Sequence, residues 1–256
     1  MRLLIFCDES TLLFMVNSTE GYQRMFVFAY NRPEAVTLAQ LLSVEYIIQG
    51  PVSSDGYDAF ISRVIDFEAT YLFCSSYGIR IPEVVINSAS DGAINFHGGI
   101  LPQWRGANIL NWTLICGSDT TGVTAHWMTS EIDKGPIIEV TTIPVFFTDT
   151  ALTLRMRLTD CFEKLFLNIL ESIKNGQSLN RIEQQEQFAK VYRRRSPQDG
   201  RIDWMKSDIE IYNLIRGLVS PWPGAYTILG DGKKIEFNDF VPLSEIAQLR
   251  SRFENK

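Results

Sequence analysis

Short apolar runs alternate with amphipathic stretches through the N-terminal half of this chain, and that alternation leaves few folds open. Leu3–Cys7 (LLIFC), Met25–Tyr30 (MFVFAY), Tyr46–Ile48, Tyr71–Ser75 (YLFCS) and Ala93–His97 (AINFH) read as strands. Between them Pro33–Ser43, Tyr57–Phe67 and Pro82–Ser88 read as helices, Pro33 standing in a first turn, and a further helix fits between the first two strands. Strands that are apolar on both faces and separated by helices form a mostly parallel sheet, which predicts an α/β fold.

Further on, Ala107–Cys116 has helical character and stops at Gly117. Gly122–Met128 and Pro136–Val145 look extended, and Leu152–Lys174 is the longest helical pattern, its apolar stripe facing a core. The character changes after Gln185. Tyr192–Trp204 is polar and turn-rich, a helix is expected over Ile209–Leu218, and two short strands, Ala225–Leu229 and Lys234–Asn238, follow Pro221-Trp222-Pro223-Gly224. The expected division is a domain over 1–187 and a small α+β module over 188–256. The module carries Ile202, Trp204, Ile211, Leu214, Ile215 and Trp222, more apolar surface than a free appendage exposes. It is therefore expected to pack on the main domain and to build a subunit interface or part of a substrate cleft.

Composition argues against several classes. The formal net charge is −6, and the one dense basic run is Arg193-Arg194-Arg195. A protein built to grip a nucleic-acid backbone carries a larger basic field, so nucleic acid is not an expected partner. Cys7, Cys74, Cys116 and Cys161 are far apart and show no CxxC spacing, which argues against a disulfide scaffold, structural zinc or any metal site. Asp8 and Glu9 interrupt the first apolar run, and no run is long enough to span a bilayer. A cytoplasmic protein without a membrane partner is expected.

The chain has two histidines, and both lie in its most unusual stretch. It runs Asn95-Phe96-His97-Gly98-Gly99-Ile100-Leu101-Pro102-Gln103-Trp104-Arg105-Gly106, resumes at Gly122-Val123-Thr124-Ala125-His126-Trp127-Met128, and ends with Asp133-Lys134-Gly135-Pro136. A strand ends at His97, and ligands of open α/β sheets collect at the carboxyl ends of strands. Asn95 and His97 are two residues apart, so on a strand they share one face. Side by side they offer an amide donor for a developing oxyanion and a proton acceptor for an attacking amine. A later acid such as Asp133 is placed to orient the imidazole. Spacing alone is equally compatible with a structural or solvated histidine, and Gly98-Gly99 alone says only turn.

The ordered set NFH…LPQWRG…TGVTAHWM…DKGPII resembles the folate-dependent formyltransferases, over roughly Tyr71 to Pro144. That family includes the methionyl-tRNA, glycinamide ribonucleotide and sugar-nucleotide enzymes. A second resemblance, RRSPQDGRIDW…IYNLIRGLVSPWPGAY at Arg194–Tyr226, is to the start of the C-terminal module of the tRNA and sugar-nucleotide branches. The resemblance implies a Rossmann-like, mostly parallel sheet, the formyltransferase fold. It matches Asn95, His97 and Asp133 to the catalytic triad, with Asn95 as oxyanion donor, His97 as proton carrier and Asp133 holding His97. It implies N10-formyltetrahydrofolate as donor, its pterin held largely by main chain in the loop Ser76, Tyr77, Gly78, Ile79, Arg80, Ile81. Thr129, Ser130, Glu131 and Ile132 would close that pocket, and Gly99, Ile100, Leu101 and Pro102 would floor it. His126 falls to a supporting role, and Trp104, Trp112 and Trp127 to packing. The chain departs from the family at Cys7-Asp8-Glu9-Ser10, where many relatives turn on glycine, at Gly98-Gly99, where many have Pro-Ser, and at Ala107, where some have a basic residue.

Residues 205–256 are too few for the β-barrel module of the tRNA branch. The glycinamide branch lacks an RIDW…PWPG segment, and the regulatory domain of a formyl-folate hydrolase is not expected here. The resemblance therefore points to an amine on a nucleotide-linked amino sugar, with Arg105 and Trp222 as acceptor contacts and a homodimer as the assembly. A hydroxyornithine-like amine and methionyl-tRNA are the alternative acceptors. A non-catalytic folate or nucleotide binder on the same fold is the alternative of another class.

Overall fold

The computed structural model describes residues 1–253. Strands and helices alternate as the apolar runs require: β1 (Arg2–Phe6), α1 (Glu9–Ser18), β2 (Gln23–Ala29), α2 (Pro33–Leu41), β3 (Tyr46–Gln49), α3 (Tyr57–Asp66), β4 (Tyr71–Ser75), α4 (Glu83–Ile86) and β5 (Gly92–His97). Then come β6 (Arg105–Gly106), α5 (Ile109–Ile115), β7 (Thr120–Trp127), β8 (Ile137–Pro144), the long α6 (Ala151–Lys174) and β9 (Val191–Tyr192). The chain continues through α7 (Asp208–Arg216), β10 (Ala225–Ile228), β11 (Lys234–Phe237) and α8 (Leu243–Phe253). A seven-stranded sheet runs in the order β3-β2-β1-β4-β5-β7-β8. β1 to β5 pair in parallel, and β7 pairs antiparallel to β5.

The described chain divides into two compact units. The first comprises Met1–His97, Thr124–Val140 and Phe162–Glu186, the second Gly98–Val123, Thr141–Cys161 and Gln187 onward. In the first unit β1, β2 and β4 bury Leu4, Phe6, Met25, Val27, Leu72 and Cys74 against Phe60 and Val64 of α3 and Val85 and Ile86 of α4. On β5, Ala93 belongs to this cluster, whereas the alternate residue Phe96 packs edge-on against Phe162 of α6 at 5.5 Å. Period-two alternation therefore puts Asn95 and His97 on the α3/α4 side of the sheet. In the second unit Ile202, Trp204, Ile211, Tyr212, Ile215 and Leu218 form their own core with Ala225, Ile246 and Phe253.

Three details differ from the sequence reading. α5 begins at Ile109 rather than Ala107, because Asn108 sits in the left-handed region (φ 57°) and no helix passes through it. β6 and β9 form a two-residue parallel pair too short to leave a periodic signal. α8 is added after Asn238, where apolar residues are sparse and flanked by charge.

The atypical turn after β1 has a local function. Asp8 caps α1, its Oδ1 accepting from Ser10 N (3.0 Å) and Ser10 Oγ (2.5 Å). Burial raises the Asp8 carboxyl above the ordinary aspartate range and nearby Glu9 adds to this; the Ser10 bonds and Arg32, whose Nη2 is 3.9 Å away, oppose it. A carboxyl with a raised folded-state pKa binds its proton more tightly in the folded protein. Its contribution to stability therefore falls as pH climbs through the window between the unfolded and folded pKa, and the penalty persists at neutral pH. Asparagine caps as well as aspartate and carries no charge. Asp8→Asn is expected to raise Tm at pH 7, with the difference from wild type vanishing below about pH 3, where Asp8 is protonated in both states. Thermal melts at the two pH values check this, and an equal shift at both would assign the effect to packing.

Candidate active site

The register of β5 against β7 sets Asn95 opposite His126, so two residues far apart in sequence meet side by side. Asn95 Nδ2 lies 3.1 Å from His126 Nε2, and His126 Nδ1 lies 2.9 Å from Trp127 O. A carbonyl only accepts, so Nδ1 carries the hydrogen and Nε2 accepts from Asn95. That bond occupies one N–H of the Asn95 amide and aims the other.

Asp133 completes the cluster. Its Oδ1 lies 3.5 Å from His97 Nδ1 and 3.7 Å from His126 Nε2. His97, Asp133 and His126 are 8%, 7% and 2% exposed. Asp133 has φ 56°, a left-handed conformation that a short acidic residue tolerates better than most. Its turn is held from outside: Gln184 Nε2 donates to Asp133 O and to Gly135 O, both at 2.8 Å. Gly135 admits no side chain, since a Cβ there would lie 1.7 Å from Trp127 O. The Asp133 charge also reaches Cys74, which is opposite Asn95 on β4; burial first and then this carboxylate push the thiol far up, so Cys74 is not a nucleophile here.

Beside this cluster the structure joins two of the segments expected to hold a donor. Tyr77 stands edge-on to Phe6 (centroids 5.0 Å apart) and donates its hydroxyl to Gln49 Oε1 at 2.8 Å. Gln49 Nε2 donates in turn to Arg80 O at 2.8 Å, and an Arg80 guanidinium nitrogen donates to Ser130 O at 3.0 Å. The Ser76–Ile81 loop is thus fixed to β3 on one side and to the Thr129–Ile132 loop on the other. Burial drives the Tyr77 phenol far above its usual range, so it stays a neutral donor. Ile81 is buried and Ile132 exposed.

The remaining expected site residues belong to the second unit. There Gly99 has no room for a side chain beside Ile109 and Trp104, and Leu101 and Pro102 are buried. Arg105 is buried as well, while Trp222 is half-buried with the Arg155 guanidinium 5.9 Å from its ring centre. Gln49 and Gln184, which position the two loops, left no trace in the sequence reading: a glutamine that acts 28 to 51 residues away has no local signature.

Chemically, the cluster couples an aimed amide N–H to an imidazole backed by a buried carboxylate. Such a set suits a reaction that develops an oxyanion while moving a proton, as group transfer to an amine does. The formyl transferase family model matches residues 43–170, and that of the formyl transferase C-terminal domain matches 194–249. The chain belongs to the formyl transferase family and is a formyltransferase. Among solved structures it is similar to a 4-N formyltransferase from Francisella tularensis and to a sugar N-formyltransferase from Shewanella. Each of these is 19% identical, with a TM-score of 0.78 and coverage of 94% of this chain and 98% of the other. It is also similar to an N-formyltransferase from Helicobacter canadensis in complex with folinic acid and dTDP-3-aminofucose (18% identity, TM-score 0.68, 84% and 79% coverage). At these identities the likeness shows a shared fold.

Proposed function

We propose that this enzyme moves the formyl group of N10-formyltetrahydrofolate to the primary amine of a nucleotide-linked amino sugar. The observation that carries the proposal is the cluster of half-buried Asn95 with buried His97, His126 and Asp133 beside the two joined loops. Main-chain groups of Ser76–Ile81 and Thr129–Ile132, with Ile81 buried in the first loop, suit the edge of a flat heterocycle. The ligands of the Helicobacter canadensis relative, folinic acid and dTDP-3-aminofucose, support both the donor and the acceptor class.

In this reading the amine nitrogen attacks the formyl carbon, and the carbonyl oxygen becomes an oxyanion facing the second Asn95 N–H. With Nδ1–H turned to Asp133, His97 Nε2 carries the lone pair that takes the amine proton. Asp133 stabilises the imidazolium that forms. The bond from carbon to folate N10 then breaks, and His97 returns its proton to that nitrogen. The products are the formamide and tetrahydrofolate.

A panel assay tests the acceptor. Purified enzyme is given formyl-folate with amino-sugar nucleotides, hydroxyornithine or charged initiator tRNA, and formamide is measured. Turnover is expected with at least one amino-sugar nucleotide. Turnover with tRNA or the amino acid alone would move the acceptor assignment and leave the site chemistry standing.

A further inference from the structure

Asp133 holds an unfavourable backbone. Its φ of 56° lies in the left-handed region, which a residue with a side chain keeps only where its surroundings hold it there. Part of that hold comes from a strap, residues 180–184, which follows α6 and runs beside the start of β8 within the first unit. Ile137 N donates to Ile182 O (2.8 Å) and Ile182 N to Ile137 O (3.0 Å), an antiparallel bridge. Two residues earlier, Asn180 Nδ2 donates to Ile138 O (3.1 Å), and Asn180 O accepts from Trp127 Nε1 (2.9 Å). Trp127 N donates to Pro136 O at 2.9 Å and closes the base of the turn that carries Asp133.

Two residues after the bridge, Gln184 reaches the turn itself. Asp133 O and Gly135 O both lie 2.8 Å from its amide nitrogen, and a carbonyl only accepts, so the two hydrogens of that nitrogen go one to each. A shared donor fixes the two carbonyls relative to each other, and with them the peptide plane that follows Asp133. The Asp133 side chain leaves the same Cα, so a clamp on the main chain also sets the direction of the carboxylate. That carboxylate is buried, 3.5 Å from His97 Nδ1. A residue released from the left-handed region to an ordinary φ swings its side chain to a new direction, and here that takes the carboxylate off the imidazole.

We propose that Gln184 is a positioning residue for formyl transfer, holding the Asp133 main chain so that its carboxylate stays on His97 Nδ1. It works through Asp133 rather than on the reacting atoms. The proposal rests on the roles given above to His97 and Asp133.

Single-turnover rates with the best acceptor of the panel, and formyl-folate affinities, test it on wild type, Gln184→Met, Asp133→Asn and the double variant. Gln184→Met keeps the side-chain length without a donor and should lose about 10–100-fold in rate, since a misplacement of about 1 Å costs about 10²-fold. Folate affinity should stay within about twofold, because Arg80 still holds Ser130. In the Asp133→Asn background the same substitution should change the rate by less than about twofold, because the carboxylate it positions is gone. A glutamine kept only for structure would cost the same in both backgrounds. Gln184→Glu keeps the shape but offers the two carbonyls no hydrogen at neutral pH; it should match Gln184→Met, and replaces it if that variant does not fold. The chain has two histidines, so nitrogen NMR of the histidine-labelled free enzyme reads the His97 ring without any acceptor. The Nδ1–H tautomer is expected in wild type and a mixture of tautomers in Gln184→Met. Equal rate losses in both backgrounds, a parallel loss of rate and folate affinity, or an unchanged His97 tautomer overturns the proposal. A near-normal rate in Asp133→Asn would reject the underlying reading of the triad, whereas a large loss there beside a normal Gln184→Met would reject the role of Gln184 alone.

Discussion

Replacing His97 with asparagine is expected to cut the single-turnover rate of formyl transfer by about 10²–10⁴-fold, the usual cost of losing a general base. Asparagine keeps a polar side chain of similar reach but cannot take a proton at neutral pH. Affinity for the formyl-folate donor should move little, because Gln49, Tyr77 and Arg80 fix the loops proposed to hold it. Asn95→Ala should cost about 10²–10³-fold through the lost oxyanion donor. Since Asp133 acts through the imidazole, 3.5 Å away, a double His97→Asn, Asp133→Asn variant should be scarcely worse than His97→Asn. Quench-flow rates and equilibrium folate binding on the same proteins separate the outcomes. Near-normal turnover in His97→Asn would reject its role and make His126 the next candidate. A parallel loss of rate and folate affinity would mean that His97 holds the pocket rather than moving protons.

Arg216→Met is expected to destabilise the protein by about 3 kcal/mol, among the larger costs for a single side chain. Arg216 is 4% exposed and sits at the end of α7. Its Nε donates to Asn213 Oδ1 (2.8 Å), and its Nη1 faces Phe146 O (3.0 Å), Asp149 O (3.1 Å) and Phe147 O (3.3 Å). Phe147 O keeps a partner in the Tyr212 hydroxyl at 2.5 Å and Phe146 O in the Asp149 N–H at 3.0 Å, but in the variant Asn213 Oδ1 and Asp149 O lose this donor. Burial already depresses the Arg216 pKa, so methionine recovers some desolvation, and the net cost is smaller than three lost bonds would suggest. For a chain of this size the expected fall in Tm is roughly 6–12 °C. Arg216→Lys should recover little, because one ammonium cannot reach acceptors on both sides. A fall below about 2 °C would show that water reaches the freed carbonyls and that the loop needs no clamp.

Some of this could be read from residue order, and some could not. The strand runs were legible because a parallel sheet covered on both faces demands nearly unbroken apolar segments, and YLFCS and AINFH meet that demand. Asn95 and His97 were legible as a pair because two residues apart on a strand is a face-sharing distance in any sheet. His126 showed its place only through the β5–β7 register, and Asp133 through a left-handed turn clamped by Gln184. The sequence shows three successive arginines, and only the fold forks Arg193 onto Asp199 and half-buries Arg195.

Local periodicity and local chemistry thus determined the α/β class, the strand that ends in the site and the residue types there. Tertiary structure alone decided which histidine backs the amide, that both lie near one carboxylate, and how each loop is fastened. The physical reason is range. Backbone propensity and side-chain alternation act within a few residues, whereas hydrogen bonds, desolvation and charge pairing act wherever folding brings groups within a few ångströms.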